Sequence, residues 1–265
     1  MKYLFVFFSI IFLTCPSDAS TFQVNEKTRF DHSLFDELLK EHVTKEGDVN
    51  YQGFLADQAQ LDQYLELLSN NPPNKKTWSE EEQLAYWINA YNAFTVKLIL
   101  NHYPVKSIKD IKKGIPFVNG VWDIEFFKIG GKEMNLNEIE HGIIREEFEE
   151  PRIHFAVNCA SFSCPHLRNE AFVAERLDEQ LTDQTRVFLA DTRKNKIENS
   201  DKIYLSKIFQ WYSTDFTNKG FFSRLFGGKG RTENLINYIQ PFVEESLNKD
   251  TEIEFLDYNW NLNEQ

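Results

Sequence analysis

Hydrophobic and polar positions alternate along this chain with helical spacing in some stretches and strand-like spacing in others. Residues 84–100 form the most apolar stretch, and the preceding Ser79-Glu80-Glu81-Glu82 has the spacing of a helix-capping box. We therefore expect a helix here that is buried on all sides. Further helices are predicted over residues 31–43, 61–68, 137–148, 177–189 and 232–247, with a short one from Ser206 to Tyr212.

Strand-like stretches lie between these helices. Residues 121–129 and 132–136 flank the pair Gly130-Gly131 and predict a hairpin, residues 195–205 predict a second hairpin, and residues 153–158 and 252–260 are predicted as single strands. Because helices interleave with hairpins and no period repeats, the pattern favours the α+β class. We expect a single domain with a buried central helix packed on a small, mainly antiparallel sheet, with several peripheral helices.

The start of the chain has the order of a secretory signal. Lys2 precedes an apolar run over residues 3–13, and Ser17-Asp18-Ala19 supplies small residues before a cleavage point. The run is too short to span a bilayer as a helix. We expect residues 1–19 to be removed and residues 20–265 to form one globular domain in the periplasm or outside the cell.

The charge of the chain excludes one class of partner. A net charge of −12 and a pI near 5.0 repel phosphate backbones, and no basic cluster interleaved with aromatic residues offsets this, so nucleic acid is not an expected partner. Nothing in the sequence calls for a nucleotide, flavin or haem. The expected ligand is an unidentified small molecule or a peptide.

The chemistry of the chain concentrates in residues 152–167, with the sequence RIHFAVNCASFSCPHL. If residues 153–158 form a buried strand, its end delivers Asn158, Cys159 and Cys164 to one place. His154 stands at the start of the same strand. We expect the functional site there.

The two cysteines allow three interpretations. An oxidising compartment favours a disulfide between Cys159 and Cys164. Alternatively, one thiol is a nucleophile paired with His141 or His154. A metal site built from His154, both cysteines and His166 is the third, but its spacing is not a strong zinc pattern, and we expect no metal.

Polar residues on two predicted helices complete the candidate site. Asn89 and Asn92 lie on one face of the buried helix and must be hydrogen-bonded, which we expect to occur beside residues 158–164. They either brace neighbouring backbone, or one of them lines the pocket. Glu140-His141 is either surface charge or a carboxylate that orients a base. His154 is either a satisfied core histidine or part of the site.

Five blocks of the sequence resemble one family. They are AYWINAYNAFTVKLIL (residues 85–100), LNEIEHGIIR (136–145), HFAVNCASFSCPHL (154–167), LSKIFQWYSTDF (205–216) and FLDYNWNLN (255–263). In this order they are similar to the family called domain of unknown function 547, whose activity is not established. The resemblance implies functional or structural importance for Trp87, Asn89, Asn92, Glu140, His141, Arg145, Cys159, Cys164 and Pro165.

Two functions remain open at this point. In the first, the protein is an exported cysteine-dependent hydrolase or acyl-transfer enzyme, in which Cys164 attacks, His141 accepts its proton and Glu140 or Asn92 holds the imidazole. In the second, it is a non-catalytic periplasmic or secreted binding domain with a structural Cys159–Cys164 disulfide. Phe221 and Phe222, in a glycine-rich stretch, either fold back onto the domain as an anchor of the loop or contact an envelope or membrane surface.

Overall fold

The computed structural model describes residues 30–111, 120–197, 201–217 and 229–265. The expected signal segment, residues 1–19, lies outside the described residues, as do Phe221 and Phe222. Cleavage of the segment and surface contact by the two phenylalanines therefore stay predictions. Within the described ranges, no helix combines the length and apolar character needed to cross a bilayer.

Helices dominate the described chain, as the hydrophobic pattern predicted. They are α1 (Ser33–His42), α2 (Tyr51–Ala56), α3 (Gln58–Asn70), α4 (Glu80–Leu100), a π-helix (Glu138–Ile144) continued by α5 (Arg145–Glu147), α6 (Ile153–Ala156), α7 (Leu177–Ala190), α8 (Lys207–Trp211), α9 (Ser213–Phe216) and α10 (Lys229–Ile239). The last of these ends before the predicted limit at residue 247, because Pro241 follows in a turn of 3₁₀-helix.

The central helix α4 follows from its sequence. Its N-terminus has the predicted capping box, in which the Ser79 hydroxyl accepts from the Glu82 amide and the Glu82 carboxylate accepts from the Ser79 amide. Every residue from 84 to 100 except Lys97 is buried. The helix packs against α2, α3 and the π-helix, so it is enclosed mainly by other helices.

In the part of the chain that the structure describes, strands form two small sheets. The predicted hairpin consists of β1 (Phe127–Ile129) and β2 (Lys132–Met134), which are antiparallel and joined by two glycines with positive φ. The second sheet pairs β3 (Lys202–Leu205) in parallel with β4 (Glu252–Phe255). The α+β class is confirmed, and the strands are divided between one antiparallel and one parallel pair.

One predicted strand is instead a turn of helix. Residues 153–156 form α6, in which the Val157 amide donates to the Ile153 carbonyl at 3.0 Å. The described residues form two hydrophobic cores, and α6 lies between them, with Ile153 and Ala156 in the larger core and Phe155 in the smaller one. A helical turn directs these side chains to different sides, whereas a short apolar run does not by itself distinguish strand from helix.

Candidate active site

Asn92 attaches the cysteine loop, residues 158–165, to the central helix. Its amide nitrogen donates to the Ala156 carbonyl at 2.9 Å, and its oxygen accepts from the Asn158 backbone amide at 2.8 Å. Asn89, one turn earlier, makes the same pair of bonds to the backbone of Phe172, at 2.8 and 3.0 Å. Both amides are buried and hydrogen-bonded as predicted, but only Asn92 bonds beside residues 158–164, because Asn89 braces a different segment.

The buried side chain of Asn158 closes the cysteine loop. Its nitrogen donates to the Pro165 carbonyl at 2.6 Å, and its oxygen accepts from the Ala160 amide at 2.8 Å. Ala160 has a φ of 60°, a conformation that non-glycine residues rarely adopt and that tends to occur at functional sites. The sharp turn after Cys159 is thus imposed by its surroundings.

The C-terminal segment holds the other side of the loop. The Phe162 amide donates to the Asn261 carbonyl at 2.7 Å, and the Asn259 amide donates to the Ser163 hydroxyl at 2.9 Å. This segment also delivers Tyr258 to the cysteines. The loop is therefore fixed from the central helix and from the chain end together.

Cys159 is surrounded by hydrogen-bonding groups. Its sulfur lies 3.1 Å from the Ser161 hydroxyl and 3.4 Å from the Tyr258 hydroxyl, and these two hydroxyls are 2.8 Å apart. Both cysteines are free in the structure. A hydrogen bond from Cys164, supported by Ser161 and Tyr258 and opposed by burial, lowers the pKa of the Cys159 thiol to about 7. A thiol of this kind is partly ionised at neutral pH.

Cys164 is the more buried of the two cysteines. Its sulfur accepts a hydrogen bond from the Cys159 backbone amide at 3.0 Å. Burial raises the pKa of the Cys164 thiol well above its usual range, and the neighbouring Cys159 adds to the effect. Of the two thiols, Cys159 is therefore the more accessible and the more readily ionised, whereas the sequence-based enzyme hypothesis assigned the attack to Cys164.

Glu140 and His141 lie on the π-helix, a feature often found at functional sites. The buried Glu140 carboxylate accepts from the Tyr212 hydroxyl at 2.8 Å, and it lies 4.0 Å from His141 Nε2. Arg145 approaches His141 Nδ1 at 2.9 Å. Because a guanidinium can only donate, Nδ1 is the acceptor and the proton of the neutral ring is on Nε2. This arrangement does not suit the predicted role of His141 as the base that takes the thiol proton.

A second histidine is paired with a carboxylate. His154 Nε2 lies 2.8 Å from Asp215 Oδ2, and Arg145 binds the same carboxylate through two nitrogens at 2.7 and 3.1 Å. Burial alone would raise the pKa of Asp215, but the bonds from His154 and Arg145 lower it well below its usual range. Burial lowers the pKa of His154, although Asp215 partly opposes this.

The other ring nitrogen of His154 is Nδ1. Nδ1 is buried and has no hydrogen-bond partner among the described residues. The ring is stacked on Tyr212, with centroids 3.9 Å apart and planes inclined by 26°. If Asp215 accepts the Nε2 proton, Nδ1 is left as a free acceptor, which is the state that a general base requires.

Both cysteines, Glu140, His141 and His154 line a single cavity of about 250 Å³. Its ionisable lining comprises Glu140, His141, His154, Cys159 and Cys164. Its aromatic lining comprises Tyr91, Trp122, Trp211, Tyr212, Tyr258 and Trp260. A wider groove of about 510 Å³, between Trp78 and Arg176, lies elsewhere and has no cysteine in its lining.

The entrance to the cavity presents aromatic faces. Trp211 is 47% exposed. In folded proteins a tryptophan side chain is on average largely buried. It stacks on Trp260 with centroids 5.8 Å apart and contacts Tyr258 at 4.8 Å. Trp122 lies 5.9 Å from Trp260, and the Lys109 ammonium lies over the Trp260 ring at 3.5 Å. Such faces can hold a flat or apolar part of a ligand.

Some predicted site residues lie behind the cavity, outside its lining. Asn92, Asn158 and Arg145 support residues that line it, as described above. Trp87 is buried in the core, where its ring meets Tyr86 edge-on at 5.1 Å. These four residues therefore have positioning or packing roles.

Sequence reasoning missed Asp215, Tyr212, Tyr258 and the tryptophans of the entrance. All but Trp122 belong to the two family-like blocks over residues 205–216 and 255–263, so membership of those blocks was the available signal. No motif in either block indicated which of their side chains would reach the cysteines. That pairing depends on contacts between distant parts of the chain.

The four residues considered for a metal site do not share partners. His154 binds Asp215, whereas His166 Nε2 lies 2.8 Å from Asp191 and is absent from the cavity lining. In the part of the chain that the structure describes, one group of three His, Cys, Asp or Glu residues has its possible ligand atoms within 4.8 Å of one another. It consists of Glu41, His42 and Asp57, which are outside the cavity. The cysteine cavity therefore offers no assembled metal-ligand set among these residues.

The pair of His154 and Asp215 predicts a specific pH dependence of stability. A carboxylate whose pKa is lowered on folding stabilises the protein above its unfolded pKa near 3.8, and this contribution is lost as the pH falls toward the lower folded value. Asp215→Asn should therefore lower the free energy of unfolding at pH 6–7, and the difference from the wild type should shrink below about pH 4. Urea unfolding across this pH range measures it, and a constant difference would contradict the pairing.

Comparison with known proteins gave one match. The family described as "Protein of unknown function, DUF547" matches residues 75–189. The comparisons with curated proteins and with solved structures found no match. The matched range contains α4, the π-helix and the cysteine loop, whereas the blocks carrying Asp215 and Tyr258 follow it. The resemblance found in the sequence motifs is thus confirmed, and residues 75–189 are the part of the chain that is similar to this family.

Proposed function

We propose that the cavity is the active site of a cysteine-dependent hydrolase or acyl-transfer enzyme, with Cys159 as nucleophile. One observation carries the proposal: the Cys159 sulfur lies within hydrogen-bond distance of Ser161 and Tyr258, in a cavity that is also lined by His154, a histidine paired with a carboxylate. A reactive thiol, a histidine and a group that orients the histidine are the parts that thiol catalysis needs.

The chemistry would proceed in two steps. The Cys159 thiolate attacks an acyl carbon, and the leaving group departs with the electron pair of the broken bond and takes up a proton from water. The acyl group is then held on Cys159 as a thioester. In the second step, water or another acceptor attacks the thioester, its proton passes to Nδ1 of His154, and the Cys159 thiolate is restored. Asp215 holds the imidazole through Nε2 in both steps.

The aromatic entrance indicates where the rest of the substrate would lie. Trp211 and Trp260 offer stacked faces next to Tyr258, whose hydroxyl reaches Cys159. A small molecule or peptide with a flat or apolar group fits this surface. The acyl carbon would then be placed at the sulfur by the part of the substrate that enters the cavity.

Acylation tests the proposal directly. The reduced protein would be incubated with a panel of nitrophenyl esters and acyl thioesters, and the acylated residue would be identified by mass spectrometry. We expect a thioester at Cys159, none in Cys159→Ser under the same conditions, and slower deacylation in His154→Gln. In Trp211→Ala, KM should rise more than kcat falls. Acylation at another residue, or none in the whole panel, would remove the hydrolase and transferase proposal.

A non-catalytic binding domain is the second candidate, and the exposed aromatic entrance is the observation in its favour, because such a surface can bind a ligand without reacting with it. As stated in the sequence analysis, this candidate includes a structural disulfide between Cys159 and Cys164. Titration of free thiols in the purified native protein distinguishes the two. Thiols at both Cys159 and Cys164 after unfolding without reductant favour the enzyme, and a disulfide between them that a small thiol does not open in the folded protein favours the binding domain.

We also propose that the protein is exported to the periplasm or beyond. Support comes from the composition of residues 1–19, in which a lysine, an apolar run and Ser17-Asp18-Ala19 follow in the order of a secretory signal. Mass spectrometry of the protein from its native host would give the mature N-terminus. Ser20 is the expected first residue, and retention of the apolar run would contradict export by cleavage.

A further inference from the structure

We infer that Cys159 and Cys164 are a redox-active dithiol that reacts with disulfides, in which Cys159 attacks and Cys164 resolves the mixed disulfide. The inference goes beyond acyl transfer, because it gives Cys164 a chemical task and makes a disulfide compound the substrate. It rests on the arrangement of the two sulfur atoms in the cysteine loop and on the difference in their exposure.

The loop brings the two thiols together. The Cys159 backbone amide donates to the Cys164 sulfur at 3.0 Å, so this sulfur lies directly against the Cys159 residue. The Cys164 amide in turn donates to the Ser161 carbonyl at 3.0 Å, which forms a tight turn between the cysteines. Asn158 fixes both ends of this loop. This turn holds the Cys164 sulfur against the Cys159 backbone, so rotation of the side chains is the movement by which we expect the two sulfur atoms to meet.

The two thiols differ in exposure and in how readily they ionise, and both differences suit thiol–disulfide exchange. Cys159 is partly exposed and lies on the cavity wall, whereas Cys164 is only 5% exposed. An incoming disulfide can therefore reach Cys159 first. Hydrogen bonds from Cys164, Ser161 and Tyr258 favour the thiolate of Cys159, and the thiolate is the attacking species in exchange.

The reaction balances with a disulfide as the oxidant. The Cys159 thiolate attacks one sulfur of the substrate, the substrate S–S bond breaks, and one thiolate leaves while a mixed disulfide forms on Cys159. Cys164 then loses its proton to the departing thiolate and attacks the Cys159 sulfur. The mixed disulfide breaks, the second thiolate leaves and takes up from water the proton that Cys159 had released, and a Cys159–Cys164 disulfide remains. Two electrons have passed from the protein to the substrate, which leaves as two thiols.

The hydrogen bonds at Cys159 also indicate the direction of the equilibrium. They stabilise the reduced protein, because a disulfide sulfur is a much weaker acceptor than a thiolate. Stabilisation of the reduced form makes a dithiol pair a stronger oxidant than an ordinary structural disulfide. The oxidised protein should therefore be reduced readily by a small thiol, so that the disulfide is reversible.

Equilibration of the full-length protein with mixtures of oxidised and reduced glutathione tests the inference. After acid quenching and alkylation, mass spectrometry should show that the wild type loses the thiols of Cys159 and Cys164 together, with no glutathione bound to either of these two residues, and regains both thiols when reduced glutathione is in excess. Cys164→Ser should instead accumulate one glutathione on Cys159. In Cys159→Ser, Cys164 should stay unmodified while the protein is folded.

Three results would overturn the inference. They are unchanged thiols at Cys159 and Cys164 in oxidised glutathione, a stable glutathione adduct on either of these residues in the wild type, or a disulfide between them that excess reduced glutathione does not open. Acylation of Cys159 is measured separately in the presence of reductant, where both cysteines are thiols. Either activity can therefore fail while the other is observed. Circular dichroism of each serine variant confirms that the comparison is made between folded proteins.

Discussion

Asn92→Leu is expected to destabilise the protein by about 2–4 kcal/mol and to impair the reactivity of Cys159. The substitution leaves the Ala156 carbonyl and the Asn158 amide buried without their partner, and each such group costs roughly 1–3 kcal/mol. A loss of this size leaves a domain of ordinary stability folded under native conditions. Because Asn158 opens the cysteine loop, the position of Cys159 should change as well.

Asn89→Leu is the matched control for this variant. Asn89 lies on the same helix, is equally buried and makes the same two kinds of bond, but to Phe172. We expect a similar loss in the free energy of unfolding, measured in urea, with the alkylation rate of Cys159 unchanged. If both variants lose stability and both keep a fully reactive Cys159, Asn92 does not position the loop.

The rate of alkylation of Cys159 by iodoacetamide is expected to rise with pH about a midpoint near 7, the pKa of its thiol. At neutral pH about half of Cys159 should then be thiolate, compared with a few per cent of an unperturbed cysteine. Cys164, buried and with a raised pKa, should react only after unfolding. Peptide mapping by mass spectrometry follows both residues in one experiment.

Two variants identify the cause of the low pKa. Cys164→Ala removes the largest contribution, the hydrogen bond from the second thiol, and Tyr258→Phe removes a smaller one. Both should shift the midpoint of the rate profile to higher pH. Tyr103→Phe removes a hydroxyl that binds Glu264 and lies outside the cavity lining, so its midpoint should stay near 7. Identical midpoints in all three would mean that these hydrogen bonds do not set the pKa.

The network around Asp215 connects the two histidines of the cavity. Arg145 donates to Asp215 and to His141, and Asp215 also pairs with His154. The same carboxylate therefore neutralises the guanidinium and orients one imidazole, while the guanidinium fixes the tautomer of the other. The resemblance to the DUF547 family picked out Arg145 without a role, and the structure assigns it the role of positioning both histidines.

Local features of the sequence were sufficient to predict several elements of the fold. The capping box and the apolar run predicted α4 because both act within one helix. The pair Gly130-Gly131 predicted the hairpin because its turn requires positive φ angles, which glycine adopts without strain. The clustering of Cys159 and Cys164 also follows from the chain itself, since only four residues separate them.

Only the tertiary structure decided which of these residues can act together. Residues 153–156 are helical because this turn places side chains in two different cores. No local sequence pattern indicates that position. Tyr258 reaches Cys159 across 99 positions, and Arg145 reaches Asp215 across 70. The choice of Cys159 over Cys164 depends on such contacts, because a pKa is set by burial and by hydrogen bonds in space. The sequence by itself determined where the thiols lie, and the folding of distant segments around them determined which thiol is reactive.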